Sequence, residues 1–189
     1  KQPNCVLQVP RVRLATIAFL WSILFSSLGF ASENANQWGG MVVLGDGNFA
    51  SDSQLGITYA LPETSLMGWW TKMQWHFEGS VSSWLGHSGV GGNNHVFGVG
   101  LTPAIRVYHG EHLFTEMGIG LNDFSQTTVS AQRDVTTHYL FGDHVGVGWQ
   151  DETLLSGAIS VRLKHYSNAG IENPNPGINF WELVYSGTF

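Results

Sequence analysis

His165 and Ser167 stand two residues apart near the end of the chain. In an extended strand residues i and i+2 share one face, so an imidazole and a hydroxyl lie side by side there. An imidazole in that position can take the hydroxyl proton as the oxygen attacks an ester carbonyl, which is the chemistry of a serine esterase. The plain alternative is a polar pair that ends a strand at an interface. The pair belongs to a dense run, His165-Tyr166-Ser167-Asn168-Ala169-Gly170, followed by Pro174-Asn175-Pro176-Gly177 and a last segment that ends on Phe189.

The elements that must position this pair have period two. From Trp69 to Leu85 the odd positions carry Trp69, Met73, Trp75, Phe77, Val81 and Leu85, and the even ones Lys72, Gln74, His76, Glu78, Ser80 and Ser82. Phe97, Val99, Leu101, Ile105 and Val107 oppose Gly98, Gly100, Thr102 and Arg106, and Leu113, Met117, Ile119 and Leu121 oppose Glu116, Gly118, Gly120 and Asn122. Leu155, Ile159, Val161 and Leu163 oppose Ser156, Ser160, Arg162 and Lys164. Such alternation is strand-like and not helical. Further strands are expected over 38–49, 53–61, 137–149 and 179–189, with Asp46-Gly47-Asn48 and Gly91-Gly92-Asn93-Asn94 as turn material.

About eight antiparallel strands result, several near the ~9–11 residues that cross a bilayer and longer than the ~5–6 usual in soluble sheets. The fold class expected is all-β, an eight-stranded antiparallel transmembrane barrel of the outer-membrane type. A soluble lipocalin-like barrel would turn the same alternation inside out and stays open at this point. Trp181, Leu183, Tyr185 and Phe189 share one face of the last strand, while Trp38, Trp69, Trp84, Tyr108, Trp149 and Trp181 fall near strand ends, where an aromatic girdle belongs. The interior of so small a barrel is filled by side chains, which argues against a channel.

Residues 1–31 read as a signal peptide: Arg11 and Arg13, an apolar core from Leu14 to Phe30, then small residues near Ala31. A retained membrane anchor is the alternative. Residues 32–189 then form a single barrel domain. Cys5, the only cysteine, would leave with the signal, so disulfides and a thiol nucleophile play no part. Lys1, Arg11 and Arg13 leave too, so the remainder is more acidic than the whole-chain formal charge of −6, which argues against nucleic acid as a partner.

The run from His165 to Gly170 with Pro174-Asn175-Pro176-Gly177 resembles the PagL family of lipid A 3-O-deacylases, eight-stranded outer-membrane barrels that hydrolyse the ester-linked acyl chain at position 3 of lipid A. The resemblance is dense over the last quarter of the chain and elsewhere rests on length and strand pattern. It implies His165 as general base, Ser167 as nucleophile and a functional role for Asn168. The turn through Gly170 offers backbone N–H groups to an oxyanion, and Asn175 a side-chain amide; tight-turn chemistry is the alternative for both. The family's acidic third member, one or two residues beyond the Gly of the Pro-Asn-x-Gly loop, is absent, because Ile178 and Asn179 stand there. Asn179 has the right parity to orient the imidazole but no charge. Glu182 would need a bulge to turn outward, and Glu172 would have to fold back from the loop.

The function expected is therefore an outer-membrane serine esterase acting on lipid A, with the outer-leaflet lipopolysaccharide and the membrane as partners and no cofactor. A homodimer is admitted without a sequence feature that demands it. A non-catalytic structural or adhesive barrel is the alternative that the missing Glu keeps open, and a soluble lipid-binding barrel is a third. His76, His87, His95, His109, His112, His138 and His144 are scattered over strands and loops without the spacing of a metal site.

Overall fold

The computed structural model describes residues 36–66, 71–87, 95–151, 153 and 156–189. The expected signal peptide, Trp69 and Leu155 lie outside them. Eight long strands form the wall: β1 (Gln37–Gly47), β2 (Ala50–Ala60), β4 (Thr71–Gly86), β5 (His95–His109), β6 (Leu113–Phe124), β9 (Tyr139–Asp151), β10 (Gly157–Ser167) and β11 (Ile178–Thr188). Three short strands accompany them: β3 (Thr64–Leu66) extends the wall beside β4, and β7 (Thr128–Ser130) pairs with β8 (Arg133–Asp134) in the loop between β6 and β9. All pairings are antiparallel. The wall closes because β1 pairs with β2 on one flank and with β11 on the other, from Gly39 opposite Thr188 to Gly47 opposite Phe180. Closure satisfies the backbone groups that an open edge would leave unpaired in hydrocarbon.

The direction of the alternation identifies the solvent. Met117, Ile119 and Leu121 are 59%, 63% and 64% exposed on the outer surface, while Gln54, Glu78, Glu116, Arg162, Lys164 and Glu182 are buried in the lumen. An apolar outside around a polar inside is a membrane barrel, the reverse of a lipocalin. The connections agree, since residues 110–112 make a tight turn at the rim that holds both strand-terminal ends, and the loops 125–138 and 168–177 rise from the other.

Charges confined to a lumen must be paired. Arg162 on β10 does this at mid-barrel: its Nη1 and Nη2 donate to the Glu78 carboxylate on β4 at 3.0 and 2.7 Å, and its Nε donates to Glu116 Oε1 on β6 at 2.6 Å. Glu116 also accepts from Arg106 Nε at 3.0 Å and from Ser160 Oγ at 2.6 Å. Above this layer Trp84, Phe124, Tyr166 and Phe180 stack with Val129, Val135 and Ile178 into an apolar plug. Below it Tyr108 and Phe114 close the other end.

Two expectations are corrected here. Trp84 and Tyr108 do not join the outer girdle, because both have inward parity and are buried, whereas Trp38, Trp149 and Trp181 face outward. His76 and His144, on strands as expected, turn into the lumen from β4 and β9.

The Arg162 cluster predicts a specific sensitivity. Arg162→Ala leaves two buried carboxylates without their shared counter-ion and should cost about 3–5 kcal/mol. The check is the temperature at which the folded barrel loses its characteristic gel mobility in detergent, which should fall markedly; an unchanged temperature would show the cluster to be dispensable.

Candidate active site

Tyr166 determines how the segment around it is presented. Its ring points into the plug, with centroids 4.9 Å from Trp84, 5.6 Å from Phe124 and 6.0 Å from Phe180, and its hydroxyl accepts a hydrogen bond from Gln54 Nε2 at 3.2 Å. With Tyr166 anchored inward, strand parity turns its two neighbours to the outer wall, where His165 is exposed and Ser167 half-buried. Both continue the lipid-facing line of Ile159, Val161 and Leu163.

The flanking strands place specific residues beside them. On β11 Asn179 lies directly across from His165, and their side chains meet at 2.6 Å between His165 Nδ1 and Asn179 Oδ1. In the tautomer that lets Nδ1–H donate to this oxygen, Nε2 carries the free lone pair of a base. On β9 Asp143 lies directly across from His165 on the other flank, and Phe141 across from Ser167. The transverse row at this height is therefore Ile119, Asp143, His165 and Asn179, with Leu121, Phe141 and Ser167 forming the row above.

The other candidates for the third member are placed elsewhere. Glu182 is buried in the lumen, opposite Arg162 and Gly45 in an unbroken register, and its Oε1 accepts from Gln54 Nε2 at 3.2 Å. No bulge brings it outward, so Glu182 is not beside the imidazole. Glu172 is exposed in the loop, where its backbone carbonyl accepts from Asn168 Nδ2 at 3.0 Å. Among the described residues no carboxylate oxygen lies within 4.0 Å of a His165 ring nitrogen.

The residues expected to receive an oxyanion are largely committed to the loop itself. Asn168 is buried, and its Oδ1 accepts the Gly170 N–H at 2.8 Å. Its own N–H donates to Asn175 Oδ1 at 3.0 Å. The Asn168 side chain and the Gly170 N–H thus brace the 168–177 turn, which is the turn chemistry that the sequence left open for them, and Asn175 joins the brace through Oδ1 alone. The Ala169 N–H, between them, takes no part in these bonds, and Ala169 adopts φ +53°.

A neighbouring loop holds this one in place. Arg133, on β8, donates from Nη1 to the Pro176 carbonyl at 3.0 Å while its guanidinium lies 3.9 Å over the Phe49 ring, and Thr136 Oγ1 donates to the Pro174 carbonyl at 2.7 Å. The braced loop ends at Gly177, whose φ of +57° favours glycine. A Cβ there would lie 2.6 Å from His165 Cε1, so the glycine is the wall on which the imidazole rests.

Sequence reasoning missed Arg133, Thr136 and Asp143. The first two act across loops and carry no local signal. Asp143 does carry one, since it interrupts the outward line of Val145, Val147 and Trp149 on β9 with a carboxylate.

Comparison with known proteins adds to this geometry. A family model described as Lipid A 3-O-deacylase (PagL) matches residues 47–188. The lipid A deacylase PagL of Bordetella bronchiseptica RB50 is 31% identical over 175 residues, covering 90% of this chain and 95% of its own length. The lipid A deacylase PagL of Pseudomonas aeruginosa PAO1 is 40% identical over 72 residues, 38% of this chain and 40% of its own. A crystal structure of the outer membrane enzyme PagL superposes with a TM-score of 0.69 at 23% identity, covering 80% of this chain and 99% of that one.

The contact of Gly177 with the imidazole is testable without knowledge of the substrate. Gly177→Ala must displace His165 and should slow reaction of Ser167 with a serine-directed fluorophosphonate by about 10²-fold, with barrel folding retained. Labelling at the wild-type rate would show that the loop does not set the position of the imidazole.

Proposed function

Since the chain belongs to the PagL family of lipid A 3-O-deacylases, we propose that it hydrolyses the acyl ester at position 3 of lipid A, with Ser167 as nucleophile and His165 as general base. The observation that carries this reading is the outward-facing Ser167, His165 and Asn179 group on the lipid side of a membrane barrel. Lipid A occupies the outer leaflet of the Gram-negative outer membrane, so its acyl chains lie against that wall and its esters near the rim. The substrate reaches the hydroxyl without leaving the membrane.

The reaction follows from the positions. His165 Nε2 takes the Ser167 proton as Oγ attacks the ester carbonyl. The tetrahedral oxyanion is received by the Ala169 N–H, which the loop's own bonds leave uncommitted, with the Asn175 side-chain amide as a second donor. Collapse expels the sugar hydroxyl, which takes its proton from the imidazolium, and leaves the acyl group on Ser167. Water entering from the interface, deprotonated by the same imidazole, then releases the fatty acid. Every proton is exchanged between Ser167, His165, substrate and water, and the scheme asks for no cofactor.

Asn179 takes the orienting place in this scheme. Its oxygen holds the imidazole in the productive tautomer, as a neutral amide does in Cys-His-Asn sites. Two further parts belong to the same proposal: residues 1–31 are a leader removed from a single barrel domain, and a homodimer is to be sought by native mass spectrometry of the detergent-solubilised barrel. The second reading, a structural or adhesive barrel, is favoured by one observation, the neutral residue at position 179.

The deciding experiment is mass spectrometry of lipid A from outer membranes carrying wild type or Ser167→Ala at equal barrel levels. Loss of one 3-hydroxyacyl chain with wild type alone is the expected result; unchanged lipid A with both would favour the structural barrel. Asn179→Ala should lower the wild-type rate by about 10²-fold through loss of imidazole orientation, measured on purified barrel with lipid A in detergent micelles.

A further inference from the structure

We propose that Asp143 supplies to the His165 imidazolium the negative charge that Asn179 lacks, so that this chain divides between two residues on opposite flanks the work of one carboxylate. The inference rests on the Ser167 and His165 reading given above. Asp143 acts through His165 and is a positioning residue, not a group that touches the substrate.

β10 lies between β9 and β11, and at the level of His165 its partners are Asp143 on one side and Asn179 on the other. All three have outward parity and are exposed. Directly opposed residues in an antiparallel pair have Cβ atoms about 4.5–5.5 Å apart. The imidazole is turned to Asn179, and Asp143 stands outside ion-pair distance, so it acts through space and not as a hydrogen-bond acceptor. The charged groups of β10 itself, Arg162 and Lys164, point into the lumen, as does Glu182 from β11. Among the described residues of the flanking strands, Asp143 is the carboxylate in register with His165 on its own face.

The outward acids Asp46 and Asp123 each stand one residue from the end of their strand, β1 and β6, and Asp46 bonds Ser51 and His87 at 3.0 and 3.1 Å. Asp143 stands inside β9, which begins at Tyr139, with Ile119 across from it on β6 and Phe141 and Val145 as its same-face neighbours. No Lys, Arg or His among the described residues comes within 4.0 Å of its carboxylate. An ionisable side chain on a membrane-facing wall is costly and marks function more often than structure. With hydrocarbon on one side the effective dielectric is low, so a carboxylate one strand away still acts strongly on an imidazolium that forms only during reaction.

The test is a two-by-two comparison of Asp143→Asn in the wild-type chain and in Asn179→Glu, which restores an acid at the position facing Nδ1. Two readouts are taken on barrels whose gel mobility shows them folded: kcat on lipid A in detergent micelles, and the rate at which Ser167 is labelled by a fluorophosphonate. Asp143→Asn should slow both by about tenfold or more in the wild-type chain, a fraction of what loss of a triad acid costs, with KM unchanged. In the Asn179→Glu chain the same substitution should cost less than about threefold, because the charge is then supplied from β11. Asp143→Glu should retain more activity than Asp143→Ala. Equal costs in both backgrounds, or none in the wild-type chain, would overturn this inference and leave the esterase reading intact. A wild-type barrel that neither labels at Ser167 nor deacylates would overturn both.

Discussion

A closed sheet in a bilayer gives each strand residue one of two destinations, hydrocarbon or lumen, and the choice alternates without exception along a regular strand. Everything else in this molecule is arranged around that constraint. The lumen collects Arg162, Arg106, Glu78 and Glu116 because each finds its counter-charge there, and a single step of register would carry those charges into lipid. The same alternation that hides Arg162 exposes His165 and Ser167, since the first has even parity on β10 and the others odd. The proposed chemistry on a lipid-facing wall thus follows from parity, and needs no cleft in the barrel.

Parity gives direction but not precision, and the end of a strand is where precision is hardest to keep. Three contacts supply it. Tyr166 fastens the segment from within, through the aromatic plug. Asn168, buried among its own turn's backbone groups, sets the course of the chain immediately after Ser167. Arg133 and Thr136 hold the far side of the loop by two carbonyls, which brings Gly177 against the imidazole edge. Preorganisation of this kind is what a site working at an interface requires.

Much of this was legible in the residues, and the parts that were not share a cause. Alternation marked four of the eight long strands and the remaining four were expected beside them, and the same counting placed His165, Ser167 and Asn179 outward and Glu182 inward, as the register shows. Trp84 and Tyr108 lie near strand ends, as girdle residues do, but their parity assigns both to the lumen, and parity decides. The braces on the loop escaped because Arg133 and Pro176, or Thr136 and Pro174, are joined only by the folding of two long loops. Asp143 escaped for a related reason: β9 and β10 are joined by a turn whose length decides which residue faces which, and only the paired register shows Asp143 opposite His165.

Whether Ser167 Oγ carries the acyl group is measured directly by peptide mass spectrometry of the barrel quenched in acid during turnover of lipid A. A 3-hydroxyacyl increment is expected on the peptide containing Ser167, absent from Ser167→Ala and accumulating when the water-activating step is slowed. Deacylation that proceeds with Ser167 unmodified, or an increment on another residue, would contradict a Ser167 nucleophile.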